Sequence, residues 1–426
     1  MAGSRDRYFD TLRTVAIVRV VAYHAFHFAA LALVFPSMGV MFALGGSLMA
    51  SSLDRAGAKA IKSRLRRLLP ALWVMGLILV PMMLAGHWAH RPAWPRLLLW
   101  VLPLATPPAG HDVGDIGAEG AGVLWYLATY LWLVTLSPLL LRVYRRRPLI
   151  TLAATPIALL VLPTQPFAHG NAITHTLGNV LIFLPCWVLG FAHRDGDLQR
   201  VPSKVVALLA VAGCAVSLGW VIQHHGLASI DLVPHPLAHS LYSMGFVLAL
   251  LRWTPRMSWL ARFKPLDTFV TAVNSRAVTI YLWHNVMITL AIIIGDRLHL
   301  WQLHGAFIYL GFSAIAMALI GTTVLALGWV EDVAAKRKPR ILPWPASRSA
   351  GLSRPADDKA IAGDPAFREQ VLDIAAEGAT APVPATATTI TSSGNRNPAN
   401  AHRGRDQTQD ESFRAAFDFR AANAQL

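Results

Sequence analysis

Long apolar runs separated by short polar segments dominate the first 335 residues of this 426-residue chain. A run of about 17 to 22 apolar residues crosses a hydrocarbon core of roughly 30 Å as an α-helix. Ten such runs occur, near 12–34, 36–53, 66–86, 123–141, 149–163, 176–193, 203–222, 235–252, 277–296 and 305–329. The second, fifth and eighth are short or interrupted. The pattern predicts an all-α fold, a polytopic helical bundle of about ten membrane spans in a domain covering 1–335. An even number of spans puts both termini on one side.

From Lys336 to Leu426 the pattern changes to Ala, Pro, Thr, Ser and Asn with mixed charges, and large apolar residues stay few until Phe413, Phe417 and Phe419. Such a stretch buries too little surface to offset its ordering entropy, so residues 336–426 are expected to form a disordered cytoplasmic tail. No internal repeat is visible.

Composition agrees with the spans: 54% of residues are hydrophobic and only 14% charged, far from the quarter or so typical of soluble domains. The net charge of +15 would suggest nucleic acid in a soluble protein, but here the basic residues sit between apolar runs. Arg5 and Arg7, the segments 55–67, 142–147, 194–204 and 252–276, and Lys336 to Arg340 hold 24 of them, whereas the alternate segments hold three, Arg91, Arg96 and Arg297. Basic residues near span ends stay in the cytoplasm, so both termini are expected there, in a cytoplasmic (plasma or inner) membrane. Nucleic acid is set aside as a partner. The N-terminus resembles a secretory signal only superficially, because the apolar run is too long. Cys186 and Cys214 both lie in apolar runs and suggest neither a disulfide framework nor a metal site. Many histidines, including His87, His90, His111 and His169, fall on the opposite side; histidines scattered in loops and at span ends are usually solvated or cap helices, no HExxH motif appears, and no metal is expected.

Polar residues inside spans carry the candidate chemistry. The first span reads LRTVAIVRVVAYH, with Arg13, Arg19 and His24. An ionisable group at that depth costs several kcal/mol unless it faces a partner or a polar cavity, which makes it a functional candidate by default. Eleven residues of helix give three turns plus about 20° and a rise near 16 Å, so Arg13 and His24 share a face, with Arg13 at the cytoplasmic mouth. Asp10 lies on nearly the same face and is placed to pair with Arg13. Arg19 is about 140° round from His24, placed for an acid on another helix or for a second cavity wall. A second cluster, KSRLRRLLPALW, sets Arg64, Arg66 and Arg67 at a span entrance with Pro70 in its first turns. Positive-inside topology alone accounts for such a cluster, but guanidinium groups also suit bidentate contacts to phosphate. Together the two sites describe a groove with a cationic lip and a histidine deep inside, the shape of coenzyme A with its phosphates at one end and its thioester at the other.

The D-x-x-R-x10-H pattern of Asp10, Arg13 and His24, followed by R-x-x-R-L-x-P in Arg64, Arg67, Leu68 and Pro70, resembles the membrane-bound acyltransferase-3 family. GVLWYLATYLWLVTLSPLLL (Gly122 to Leu141) and YLWHN (Tyr281 to Asn285) are similar to later segments of that family, and the resemblance spans about residues 7–330. It implies transfer of an acyl group, often acetyl, from cytoplasmic acyl-CoA, a donor substrate rather than a bound cofactor, to a hydroxyl of a sugar, cell-envelope glycan, glycolipid or secondary metabolite. His24 is then the catalytic histidine, with Asp10 beside it in the motif, and Arg13, Arg64 and Arg67 handle the donor; His284, early in its span, is placed either to line the donor groove or to hydrogen-bond between helices. Thr14 stands where the family commonly has glycine or alanine, and Arg19 is unusual in that span.

For the acceptor, HDVGDIGAEG (Asp112, Asp115, Glu119) beside Trp125 and Tyr126 offers carboxylates next to aromatic rings on the outer side, a set suited to sugars; a solvated glycine-rich loop before an aromatic belt residue fits equally. Two other functions remain in view. A transporter or lipid-linked glycan exporter would use Arg19 and His24 to line a path, and a scaffold would act through its tail.

Overall fold

The computed structural model describes residues 6–26, 28, 30–86, 92–110, 116–161, 171–226 and 231–342, and all the regular structure in them is helical. Each of the ten apolar runs becomes a helix. The first splits into α1 (Arg7–Phe26) and α2 (Ala30–Val34), followed by α3 (Ser37–Ala56) and α4 (Lys59–Ala85). A short α5 (Ile116–Gly122) leads into α6 (Leu124–Arg146), then α7 (Pro148–Val161), α8 (Ala172–Arg194), α9 (Ser203–His225) and α10 (Pro236–Arg252). The amphipathic α11 (Lys264–Ser275) precedes α12 (Ala277–Arg297), α13 (Ala306–Leu327) and the short α14 (Trp329–Ala334).

Among the described residues seven helical segments are long and apolar enough to cross a membrane, which makes this a multi-pass membrane protein. The expected ten are not reached on that measure. The remaining three runs correspond to α1, which carries Asp10, Arg13 and Arg19, to the 14-residue α7 and to the 17-residue α10. α4 also starts earlier than its apolar run, because KAIKSRLRR is itself made of good helix formers. Pro70 therefore lies inside the helix and not in its first turns. There it leaves the Arg66 carbonyl without the usual helical N–H partner. Of the expected tail, residues 336–342 are described; 343–426 lie outside the described residues, as do His87, His90, His111, Asp112, Asp115 and His169.

α3 and α8 form the most extensive helix pair. They meet where glycine removes the side chain on both: a Cβ on Gly46 would stand 2.1 Å from the Trp187 carbonyl oxygen, and one on Gly190 would stand 2.2 Å from that of Ala43. Small residues let backbones approach when no hydrophobic effect drives helices together. Around this crossing Phe42, Met49, Phe183, Trp187 and Phe191 are fully buried. A second apolar cluster joins α4, α6 and α12 through Leu72, Met75, Leu79, Leu124, Leu131, Leu282 and Val286. α1 is wedged between them, packing on α3, α11 and α12.

The start of α12 is clasped from the far end of the chain. Glu331 on α14 accepts from the N–H of Thr279 (2.7 Å) and its hydroxyl (2.6 Å), covering first-turn donors that have no helical partner. Next to it Arg276, 2% exposed, pairs with Asp332 at 2.8 Å and donates to the Arg340 carbonyl at 2.6 Å. Burial raises the Glu331 carboxyl above its ordinary value. Asp332 is held below the usual range: burial works against ionisation, but the Arg276 hydrogen bond and charge outweigh it.

Candidate active site

α1 sets the site's axis. At its first turn Arg7 pairs with Asp267 of α11 and approaches Asp10 at 3.4 Å, while Asn274 donates to the Asp10 carbonyl and to the Thr14 hydroxyl, both at 2.8 Å. Thr14, the departure from the family pattern, is thus a buried acceptor joining α1 to α11. The ion pair on the Asp10 carboxylate runs to Arg7. The field of that carboxylate also reaches Arg13, whose guanidinium lies 3.5 Å from the Asn274 side-chain oxygen. Asp10 precedes His24 by fourteen residues, about 21 Å along the helix, so the two do not share a reacting centre.

The expected basic cluster assembles. Arg13 feels the charge of Arg64 and lies near Tyr126 and Tyr130; Arg67 is near Arg64, Arg337 and Tyr130. Arg64 is tied to α3 through the Leu48 carbonyl (3.0 Å) and Ser52 (3.1 Å). Two helices, α1 and α4, thus bring guanidinium groups towards two tyrosines of α6, and the segment after α14 adds Arg337.

From those tyrosines a ladder of rings leads to the histidines. Tyr130 and Tyr126 are 6.2 Å apart, Tyr126 and Tyr281 5.0 Å, Tyr281 and His284 5.8 Å, and His284 and His24 5.1 Å, between centroids. The Tyr281 hydroxyl donates to the Val123 carbonyl, which fixes one rung. His284 is 1% exposed, and its Nδ1 stands 2.6 Å from the Tyr281 carbonyl oxygen. A carbonyl only accepts, so Nδ1 carries the hydrogen and Nε2 the lone pair. Among the described residues that Nε2 has no hydrogen-bond partner, and neither has the side-chain oxygen of Asn285 beside it. His24 is half-buried.

A narrow slot, part of it open to solvent, runs along this ladder between Ala16, Ile17, Val20 and Val21 of α1, Met38 and Met41 of α3, Tyr126, and Tyr281 with His284. Apart from the histidine and the two tyrosines its walls are aliphatic or thioether. Behind it Asn285 donates its amide to the Glu119 carboxylate.

The structure brings together His24, His284 and, one residue further, Glu119; it also brings together Arg13, Arg64 and Arg67. Of the expected acceptor set, Trp125 and Tyr126 meet edge-on at 6.3 Å. Tyr126 lies beside Arg13 on the ladder, Trp125 stacks on Phe183 at 5.9 Å towards the α3–α8 core, and Glu119 joins the histidine neighbourhood through Asn285. Sequence reasoning missed Tyr130, Tyr281, Asn285, Arg276, Glu331 and Asp332. Tyr130 lies one helical turn after Tyr126, a spacing that signals a shared face; the others depend on contacts distant in the chain.

A scan against family models matches residues 6–327 to the acyltransferase-3 model, described as an acyltransferase domain. Neither a search of curated proteins nor one of solved structures returned a match.

Proposed function

The chain belongs to the acyltransferase-3 family, and from that premise we propose that it moves an acyl group, acetyl in the simplest case, from acyl-CoA to a hydroxyl of a sugar, envelope glycan, glycolipid or metabolite. The membrane unit, about residues 1–335, has both termini in the cytoplasm. The donor's phosphates rest on Arg13, Arg64 and Arg67, and its arm follows the tyrosine ladder. The thioester then stands between the slot and the histidine pair.

The acceptor oxygen attacks the thioester carbonyl, the C–S bond breaks, and the hydroxyl proton passes through an imidazole to the departing thiolate. His24 is the base. His284 orients it, the open Nε2 lone pair accepting from the single ring N–H of neutral His24 and so fixing its tautomer, which leaves the other nitrogen of His24 to take the proton. Asp10 acts at a distance, anchoring the first turn that carries Arg13. Tyr126 serves the donor, and Glu119 steadies Asn285 beside His284. Trp125 supports the wall. The observation that carries this reading is the unbroken series of ring contacts from Tyr130, near the guanidinium cluster, to the histidines.

The test compares the masses of envelope glycans, lipids and secreted metabolites from cells with the intact protein and with His24→Ala. A product lighter by one acyl unit in the variant, still delivered to its normal place, supports the reading. Failure to deliver the glycan would instead indicate export.

A further inference from the structure

Arg19 is the one charged residue of α1 that the acyltransfer reading leaves without a task. Its Nε donates to the Leu31 carbonyl at 2.9 Å, and its guanidinium carbon lies 4.9 Å from the centre of the Tyr23 ring. Those contacts use one N–H and one face. The two terminal nitrogens make no hydrogen bond, and no carboxylate forms an ion pair with the group, among the described residues. A guanidinium this deep in a span is costly unless something meets it.

Its surroundings point to what that is. Tyr23 packs edge-on against His24 at 5.5 Å. Together with the Arg19–Tyr23 separation this limits the distance from the guanidinium carbon to the His24 ring centre to about 10 Å. Two residues beyond the Leu31 carbonyl, Leu33 packs with Leu232 and Ala238 and accepts at its carbonyl from the Tyr242 hydroxyl of α10, which brings the neighbouring Asp231 and His239 to the side of α1 that carries Arg19. The open guanidinium fork, about 140° round α1 from the donor face, thus has a flat ring beside it and a second ring and a carboxylate on the chain packed against Leu33. The fork matches the geometry of an oxyanion, and the carboxylate accepts from hydroxyls.

We propose that Arg19, Tyr23, His239 and Asp231 form an acceptor subsite for a sugar that carries an oxyanion, a carboxylate or a phosphate, within about 10 Å of the hydroxyl that His24 deprotonates. Arg19 holds the oxyanion, Tyr23 lies under the sugar ring, and Asp231 takes its remaining hydroxyls. This rests on the acyltransferase reading for the role of His24 and names the acceptor class that reading leaves open.

The test is direct binding, without acyl donor, to the full-length protein in nanodiscs of zwitterionic lipid. Methyl β-glucuronide and methyl glucoside 6-phosphate are compared with neutral methyl β-glucoside by titration calorimetry. The expected result is at least tenfold tighter binding of both charged glycosides to the native protein, a ratio near one in Arg19→Gln, and an intermediate ratio in Arg19→Lys, with unchanged helicity in both variants. A ratio near one in the native protein, or one that Arg19→Gln leaves intact, overturns the proposal. So does loss of the preference when phosphatidylglycerol is added to the discs, since Arg19 would then be a lipid headgroup site. Because no donor is present, failure here is distinct from failure of acyl transfer, which is read separately as CoA release from acetyl-CoA in native protein and His24→Ala.

Discussion

The α3–α8 crossing and the α1–α12 junction are held together by different means. At α3–α8 the backbones touch through Gly46 and Gly190, the surrounding side chains are mostly aromatic or aliphatic and buried, and one side-chain hydrogen bond, Ser47 with His193 at 3.2 Å, crosses the pair. At α1–α12 the middle is a slot, and the grip is polar and displaced to one rim: Arg7 with Asp267, Asn274 with Asp10 and Thr14, Arg276 with Asp332, Glu331 on the first turn of α12. A close-packed interior has no room for a thioester. Moving the cohesive contacts to the rim frees the centre for the slot and for the open nitrogen of His284. The first region therefore tolerates little change in volume, and the second little change in charge.

The sharpest way to break that contrast is at the centre of the polar junction. His24→Ala should cut acyl transfer by about a thousandfold, equivalent to roughly 4 kcal/mol of barrier, while the protein stays folded; transfer of labelled acetyl from acetyl-CoA with parallel melting curves reads both. At the rim, Asp332→Asn leaves Arg276 buried without its counter-charge and should cost about 3 kcal/mol, seen as a lower melting temperature in detergent. The native pair should also weaken with acid. The folded Asp332 carboxyl sits below its unfolded value, so its contribution is present above the ordinary carboxylate range and is lost as pH falls through the lowered one. Stability of native protein against Asp332→Asn between about pH 6 and pH 3 should show the two converging at the acid end.

In the apolar region Gly46→Ala should cost about 2 kcal/mol, because its Cβ would meet a backbone carbonyl that cannot move alone. Gly122→Ala, with nothing within 4 Å of the new atom, is the matched control and should melt close to the native protein. The smallest effect is expected at the basic cluster. Arg13→Gln or Arg64→Gln should raise the acetyl-CoA KM about tenfold, worth about 1.4 kcal/mol, with the larger part of kcat kept, since each removes one of several phosphate contacts.

Much of this architecture was legible in the chain. Apolar periodicity marks where helices run, because a residue facing lipid and one facing a helix neighbour are both greasy, and each predicted run became a helix. That same ambiguity hides which face is which, and length alone cannot say that α7 or α10 completes a crossing. The split of the first run at Phe26 and the early start of α4 at Lys59 went unread, since helix propensity in KAIKSRLRR continues past the apolar boundary. Within the site, Arg13, Arg64 and Arg67 could be grouped because cations at two neighbouring span entrances converge by topology. His24 could be singled out by its cost in lipid. The meeting of His24 with His284 is a contact between the first apolar run and the ninth, and no local pattern encodes it. Glu119 looked like part of a glycine-rich loop, when α5 carries it inward to Asn285. Glu331 and Asp332 looked like the end of the membrane unit, when they clasp its last reactive helix.

The central claim is that donor handling and proton transfer sit at opposite ends of one tyrosine ladder, and it is tested by separating binding from chemistry in a single variant. Acetyl-CoA binding and acetyl transfer are to be measured side by side for native protein and His24→Ala in nanodiscs. The account expects the variant to bind acetyl-CoA within about twofold of native while transfer falls about a thousandfold. Transfer that survives within tenfold of native, or donor binding that disappears together with the histidine, would contradict it.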